Sequence, residues 1–378
     1  MLTKTFCSNS LEEFELTLTR IVRDEFTPTL AIAFCSPHID ILRLIQLFSQ
    51  FNIQHIGCTS AGEICDAELF ENKISVLLFD INQDYFKLDL LKGEQGIYEC
   101  AKTLAQNAKN AFKSPAIFML GSGLSNDGEE IVRGVNEIIN NEFPVFGGLA
   151  GDNLEMQKTS IFCNNAISEN GLSGIFFNSE YIDIQGVAES GWKAIGVTHE
   201  VTSAKGNILY TINNEPAADV FTRYFGYFDT PNLTDNPIST MSAQYPLQVQ
   251  RADDYTVLRA PIMTNKDGSM VLVGAVKNGD KFRFSMSPGF SVINSTIDAI
   301  SHWKNKQELS ADALILVSCK GRHAAFGPML DDEIAGLYKQ WQKPMIGFLS
   351  YGEIGNLNGK ACDFHNETCC MVTIREKF

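Results

Sequence analysis

Two acidic residues near opposite ends of the chain close the same pattern, Gly-x-x-Ser-x-Gly-Glu-Ile: Glu63 in "GCTSAGEI" (57–64) and Glu353 in "GFLSYGEI" (347–354). A carboxylate set behind glycines and a serine can do either of two things. It can accept the exposed backbone N–H groups of a tight turn, or it can meet a ligand where strand ends converge on a crevice. "FPVFGGLAGD" (143–152) offers a third such place, with Asp152 where Glu63 and Glu353 stand. The candidate binding residues of these turns are Ser60, Gly62 and Glu63, then Gly151 and Asp152, then Ser350, Tyr351, Gly352 and Glu353.

The Gly-rich stretch "GSGLSNDGEE" (121–130) adds Asn126 and Asp127, whose surrounding N–H groups either cradle an anion or simply start a helix, Asp127 and Glu130 having capping-box spacing. It matches neither G-x-G-x-x-G nor a P-loop, which excludes a nucleotide site of those kinds. Ser60, Ser350 and Cys58 are the candidate nucleophiles of a hydrolase or transferase. No G-x-S-x-G elbow and no H-E-x-x-H occurs, so no catalytic residue is assigned. His38 follows Cys35 by three residues and His323 follows Cys319 by four, but no second pair at zinc spacing accompanies them. His365, in "DFHNETCC", is either a hydrogen-bonded structural residue or a ligand in a pocket bounded by Tyr351 and Glu353. Without a C-x-x-C-H, any haem would be held by an axial side chain and an apolar pocket.

The elements that must position these residues recur three times. "LAIAFCS" (30–36) reads as a strand, Ile41, Leu44, Ile45 and Phe48 as one face of a helix, and "IQHIG" (53–57) as a strand entering the first turn. "AIFMLGS" (116–122) with Ile131, Val135 and Ile138, and "ALILVSC" (313–319) with Ile334, Leu337, Tyr338 and Trp341, repeat the order before the other two turns. Each turn is followed by another strand, at 74–80, 172–177 and 368–374. The unit is β-α-β-turn-β, and its last strand returns antiparallel. The predicted fold class is therefore α/β (α+β), with mixed β-sheets flanked by helices and repeated β-α-β-turn-β units in two adjoining domains.

Between the second and third copies, "AIGVTHEVTSAKGNILYTINNEPAADVFTRYF" (194–225) reads as two strands and a helix opened by Pro216. "PNLTDNPISTMSAQYP" (231–246) reads as a polar loop, and 256–276 as a hairpin turned at Asp267-Gly268. A boundary near 215 gives domains 1–215 and 216–378.

The 378 residues suffice for two domains with sizeable cores, 44% of them apolar and 20% charged. A formal charge of −15 opposes binding to nucleic acid or to an anionic membrane surface. Apolar runs are of strand length, well short of the roughly 20 residues that cross a bilayer, so membrane insertion is not expected. The N-terminus reads as a first helix capped at Ser10 rather than as a signal peptide, and the ten cysteines lie mostly in apolar strands, which points to reduced thiols in a cytoplasmic protein.

"GCTSAGEI", "GLSNDGEEIVRGVN", "PVFGGLAGD", "GNILYTINNEPAADVFTRYF", "VSCKGR", "GFLSYGEIG" and "FHNET", in this order, resemble the landmarks of the FIST family, the paired N-terminal and C-terminal sensory domains of bacterial signalling proteins and of one class of F-box proteins. The resemblance covers nearly the whole chain. It implies a ligand-binding sensor without catalytic output. The free-standing nitric oxide sensing branch is similar in having both domains and little else, and this likeness implies haem b, nitric oxide as ligand, and a histidine kinase or a cyclic-di-GMP enzyme as partner. On that reading His365 is the first choice of axial ligand and His323 the second. The alternative is a sensor of a small polar metabolite such as an amino acid, its amine on Glu63, Asp152 and Glu353 and its carboxylate on Arg322. Association into a homo-oligomer is left open.

Overall fold

The computed structural model describes residues 1–226, 244–251, 255–287, 289, 291–356 and 362–377. Most of the loop read at 231–246 falls outside the described residues. The first unit runs β1 (Leu2–Ser8), α1 (Leu11–Asp24), β2 (Leu30–Cys35), α2 (Ile41–Gln50), β3 (Gln54–Thr59), β4 (Glu63–Cys65), β5 (Glu68–Phe70) and β6 (Ile74–Asp80). The second repeats it as β7 (Phe86–Lys92), α3 (Ile97–Ala111), β8 (Pro115–Gly121), α4 (Gly128–Ile139), β9 (Val145–Leu149), β10 (Ile161–Cys163), β11 (Ala166–Ser168) and β12 (Gly171–Asn178).

The third unit begins with β13 (Ile182–Glu189) and is then interrupted by a separate sheet. That insert comprises β14 (Lys193–Lys205), β15 (Ile208–Ile212), β16 (Glu215–Pro216), α5 (Ala217–Phe225), β17 (Leu247–Gln250), β18 (Thr256–Arg259), β19 (Pro261–Thr264), β20 (Met270–Leu272) and β21 (Lys281–Met286). The unit resumes with α6 (Ser291–Lys306), β22 (Ala313–Cys319), α7 (Lys320–Phe326), α8 (Met329–Trp341), β23 (Met345–Ser350), β24 (Glu353–Asn356), β25 (Cys362–His365) and β26 (Cys369–Glu376). Strands on either side of residue 215 pair with one another, β14 with β21 and β15 with β20. The hairpin turned at Asp267-Gly268 is β19–β20.

The mixed α/β architecture expected from the sequence is present, and its repeat is longer than the sequence reading. A further strand and helix precede each β-α-β, so the chain opens on strand β1 and not on helix α1. The helix itself is capped as expected, with Ser10 Oγ accepting from the Glu13 N–H at 3.2 Å. Glu13 in turn accepts from the Asn9 N–H at 2.7 Å.

Three six-stranded sheets result, with orders β1-β6-β2-β3-β10-β11, β7-β12-β8-β9-β24-β25 and β13-β26-β22-β23-β4-β5. The last two strands of each are borrowed. The hairpin after the first turn pairs onto β23 of the third unit, that after the second onto β3 of the first, and that after the third onto β9 of the second. The exchange is cyclic, so no unit completes its own sheet. Strand alternation explains why the three sheets enclose a common centre. Leu30, Ile32 and Phe34 of β2, Ala116, Phe118 and Leu120 of β8, and Ala313, Ile315 and Val317 of β22 pack into one cluster. The intervening residues face the helices instead: Ala31 and Ala33 meet Leu18 and Phe48, Met119 meets Ile131, and Leu316 meets Ile334 and Leu337. Burial on both faces is why these strands read as continuous apolar runs.

Candidate functional site

The three glycine-acid turns meet at the ends of the parallel strands and are tied together through backbone. Ala61 N–H donates to Leu349 O at 3.0 Å, Tyr351 N–H to Leu149 O at 3.0 Å, and Gly151 N–H to Thr59 O at 3.1 Å. Return bonds run from Leu349 N–H to Gly62 O and from Leu149 N–H to Gly352 O, each at 2.8 Å, and from Thr59 N–H to Ser160 O at 2.9 Å. Small residues are needed at this junction. A Cβ on Gly151 would lie 2.8 Å from the Ala61 backbone nitrogen, and Gly62 has φ +147°.

Within this junction Glu63 and Glu353 fasten their own turns. Glu63 accepts from Ser60 Oγ and from the Lys73 N–H, the latter at 2.9 Å. Glu353 accepts from Ser350 Oγ and from Thr368 Oγ1, the latter at 2.7 Å. Both are buried, and burial pushes each carboxyl up to about 7. Ser60 and Ser350 are thereby committed as donors, and burial raises the Cys58 thiol well above its ordinary range.

Asp152 does not stand where Glu63 and Glu353 stand, which corrects the alignment read from sequence. Strand pairing puts Ile161 there: Glu63 opposes Phe348, Glu353 opposes Gly148, and Ile161 opposes Cys58. Asp152 instead begins a loop, residues 152–159, that the other units lack. Its Oδ2 accepts from the Gln157 and Lys158 N–H groups at 2.7 and 3.0 Å. Its Oδ1 accepts from Tyr351 Oη, which itself accepts from the Leu154 N–H at 2.6 Å. The loop is conformationally costly, with Asn153, Leu154 and Met156 all at φ between +53° and +66°.

Beside this loop a cleft of about 250 Å³ opens between the strand ends and the inserted sheet. The third unit supplies Cys319, Lys320, Gly321, Ser350, Tyr351 and Glu367, the 152–159 loop supplies Leu154 and Met156, and the insert supplies Asn207, Ile262, Leu272 and Val273. An adjoining space of about 400 Å³ shares Gly123, Leu124, Asn207, Val273 and Tyr351 and reaches Asn126, Asp127 and the start of α4. Lys320 Nζ, buried, donates to Ala61 O at 3.0 Å and to Asn153 Oδ1 at 2.9 Å, and burial lowers its pKa.

Of the residues singled out from sequence, Asn126, Asp127, Ser350 and Tyr351 line this continuous cleft. Ser60, Gly62 and Glu63 line only a space of about 10 Å³ at the corresponding place in the first unit. Gly151, Gly352 and Glu353 lie in the junction behind, and Asp152 anchors the loop. Arg322 is not available to a ligand carboxylate. It is fully buried against Glu333, and its Nη1 donates to the carbonyls of Ser190 and Glu367, the latter at 3.2 Å.

Neither histidine proposed to hold haem faces the cleft. His365 is buried in the β24–β25 pairing, opposite Glu353, with Nε2 3.3 Å from Gly355 O. His323 is half-buried on α7, with its pKa lowered by burial. The residues present therefore do not fit a haem held in this cleft by an axial histidine. Among the described residues no cluster of three or more His, Cys, Asp or Glu could hold a metal ion. His38 is exposed and pairs with Glu155 at 2.8 Å.

Sequence reasoning missed Glu367, Lys320 and Gly321 in the cleft, although "FHNET" and "VSCKGR" were among the landmarks. The available signal was positional. Residue 367 precedes β26 as Asn72 precedes β6, two residues before the strand in each case.

Models of the FIST N domain and the FIST C domain match residues 29–215 and 217–356. The chain belongs to the FIST family. Comparison with curated proteins returns no match. The family's domains are sensory, ligand-binding modules of signalling proteins. The matched segments contain all three turns, the 152–159 loop and the insert, while Glu367 and the last strand lie beyond them. Among the described residues no helix is long and apolar enough to cross a membrane.

Proposed function

We propose that this protein is a sensor that admits a small polar metabolite, of about the size of an amino acid, to the cleft between the inserted sheet and the strand ends of the second and third units. Occupancy would be passed to a separate signalling enzyme, a histidine kinase or a cyclic-di-GMP enzyme. The observation that carries this reading is the asymmetry of the repeat. The same position leaves a space of only about 10 Å³ in the first unit and opens into a cleft of about 250 Å³ in the third, where two separately built parts of the molecule face each other. A ligand touching both parts favours whichever relative position gives it the better contacts, the usual requirement for a binding signal.

The insert is already coupled to the cleft wall. Arg259 of β18, fully buried, bonds Glu129 in the first turn of α4 and donates through Nε to Ala275 O at 3.1 Å. A ligand that shifts the start of α4 therefore acts on an ion pair that holds the insert.

A thermal-shift screen over amino acids and related amines tests the reading. A ligand at 100 times its dissociation constant stabilises by about 2.7 kcal/mol. One chemical class is expected to raise Tm by several degrees, and Val273→Trp, which fills the shared part of the cleft, is expected to abolish that shift while the protein still melts cooperatively. No shift with any compound would reject the reading.

A further inference from the structure

The first and third units differ at one position beside the turn. In the first unit it is Asn72, exposed to solvent at φ +64°, with Oδ1 accepting from Ser36 Oγ at 3.3 Å. Asparagine suits left-handed backbone, and its side chain is satisfied. In the third unit it is Glu367, at φ +55°, a residue with no such preference. Glu367 is 2% exposed, lines the cleft, and its Oε2 has no hydrogen-bond partner among the described residues. The partner lost is identifiable. Cys319 occupies the place of Ser36, as both N–H groups receive equivalent backbone acceptors, Thr368 O and Lys73 O.

The backbone of α7 passes close to this carboxyl. A Cβ on Gly321 would lie 2.1 Å from Glu367 Oε1, so a side chain there would displace the carboxyl from its present position. The cations nearby make their hydrogen bonds to other groups, Lys320 to Ala61 O and Asn153 Oδ1, and Arg322 to Glu333 and to the main-chain carbonyl of Glu367, from where its charge favours the ionised form of the Glu367 carboxyl without pairing with it. No ion pair reaches Glu367 within 4.0 Å among the described residues. Behind it, Glu353 is an acidic neighbour that adds negative character to the place, while the buried Cys319 thiol beside it stays neutral. The cleft walls above are apolar: Leu154, Met156, Ile262, Leu272 and Val273.

We propose that Glu367 is the ligand-binding carboxylate of the cleft and that it receives the ammonium group of a primary amine with an apolar body, such as an amino acid with an aliphatic side chain or an alkylamine. This rests on the cleft being the ligand site. Buried unpartnered acids are costly, and a ligand ammonium supplies the missing charge and donors. The chain's net charge of −15 favours the approach of such a cation. In the free protein burial pushes Glu367 up to about 8, so it is mostly protonated at pH 7. Binding then converts a carboxylic acid and an ammonium into a carboxylate–ammonium pair and releases one proton to solvent.

Calorimetric titration with leucine and butylamine, each against its N-acetylated form, in two buffers of different ionisation enthalpy at pH 7, tests this. The expected result is binding of the free amines only, with release of close to one proton. Glu367→Gln should weaken amine binding at least tenfold and abolish proton release while keeping or raising Tm, because a neutral amide is easier to bury. If amines and their acetylated forms bind alike and Glu367→Gln changes neither, the assignment of Glu367 is overturned while the cleft reading stands, provided Val273→Trp still blocks them. If Glu367→Gln lowers Tm without altering amine affinity, the residue is structural and the inference fails. If neither these probes nor the wider screen bind, both are rejected.

Discussion

The first and third units share a turn sequence, a strand order and a serine-glutamate bond, yet one leaves almost no space beside the turn and the other opens into a cleft. Their difference lies beside the repeated turn. Around Glu63 the space between Ser36, Pro37 and the exposed Asn72 is only about 10 Å³. Around Glu353 the fastening is the same, but Glu367 replaces the satisfied asparagine, Cys319 replaces the serine, and the insert stands off as a second wall. The repeated motif is thus the shared mechanical part of the first and third units, and the departure from the repeat marks the place suited to a ligand.

The largest effect expected to sharpen this comparison is at Arg322, which the third unit alone uses to tie α7 to α8 through Glu333. Arg322→Leu leaves Glu333 buried without its counter-charge, a loss typically of about 3–5 kcal/mol. Denaturant unfolding is expected to show that loss, whereas a ligand-binding arginine at a cleft surface would leave stability nearly unchanged.

A smaller effect concerns pH. Glu63 and Glu353 at about 7 and Glu367 at about 8 all lie above the ordinary carboxylate range because they are buried. A folded-state pKa above the unfolded one means that the native protein holds protons the unfolded chain has released. The stability these groups give is complete below the unfolded pKa, about 4.3, and is lost as pH rises through 7 and 8. Tm should therefore fall between pH 6.5 and 9, above the range in which the buried histidines contribute with the opposite sign. Glu367→Gln should flatten the upper part of that fall, by an amount on the order of 1–3 kcal/mol at pH 9. A profile identical to wild type would show that Glu367 is not a buried acid.

The smallest expected effect comes from exchanging the two residues. Glu367→Asn places a residue suited to left-handed backbone in the third unit and should stabilise by about 1 kcal/mol. Asn72→Glu makes the reverse change at an exposed position, where the carboxylate stays hydrated, and should destabilise by no more than about 1 kcal/mol, through the left-handed backbone alone. Chemical denaturation of the pair measures both. An unchanged stability in Glu367→Asn would mean that Glu367 is not the buried, unpartnered acid described.

Much of this fold was legible in local patterns. The runs of 30–35, 116–120 and 313–319 announce doubly buried strands, the helical faces around Leu44, Ile131 and Ile334 follow at the correct spacing, and Asp267-Gly268 turns its hairpin. β1 escaped because its polar residues alternate with few apolar ones, an edge strand half open to solvent. Asp152 was misplaced because an extra loop follows it, and glycine spacing alone cannot register a strand that pairs with a different unit. Arg322 and His365 drew attention by residue type, which says nothing about whether their polar atoms are already taken.

By itself the sequence determined the β-α-β core of the threefold repeat and the two serine-glutamate turns, because periodicity, chirality and turn geometry act between residues near in the chain. Only the tertiary structure decided that each unit lends a hairpin to another, that Glu63 and Glu353 are spent on fastening, and that Glu367 is left without a partner. Whether a buried polar atom is satisfied depends on neighbours contributed by distant segments: Gly321, Lys320, Arg322 and Glu353 reach Glu367 from elements that meet it only when the three sheets close around their common core.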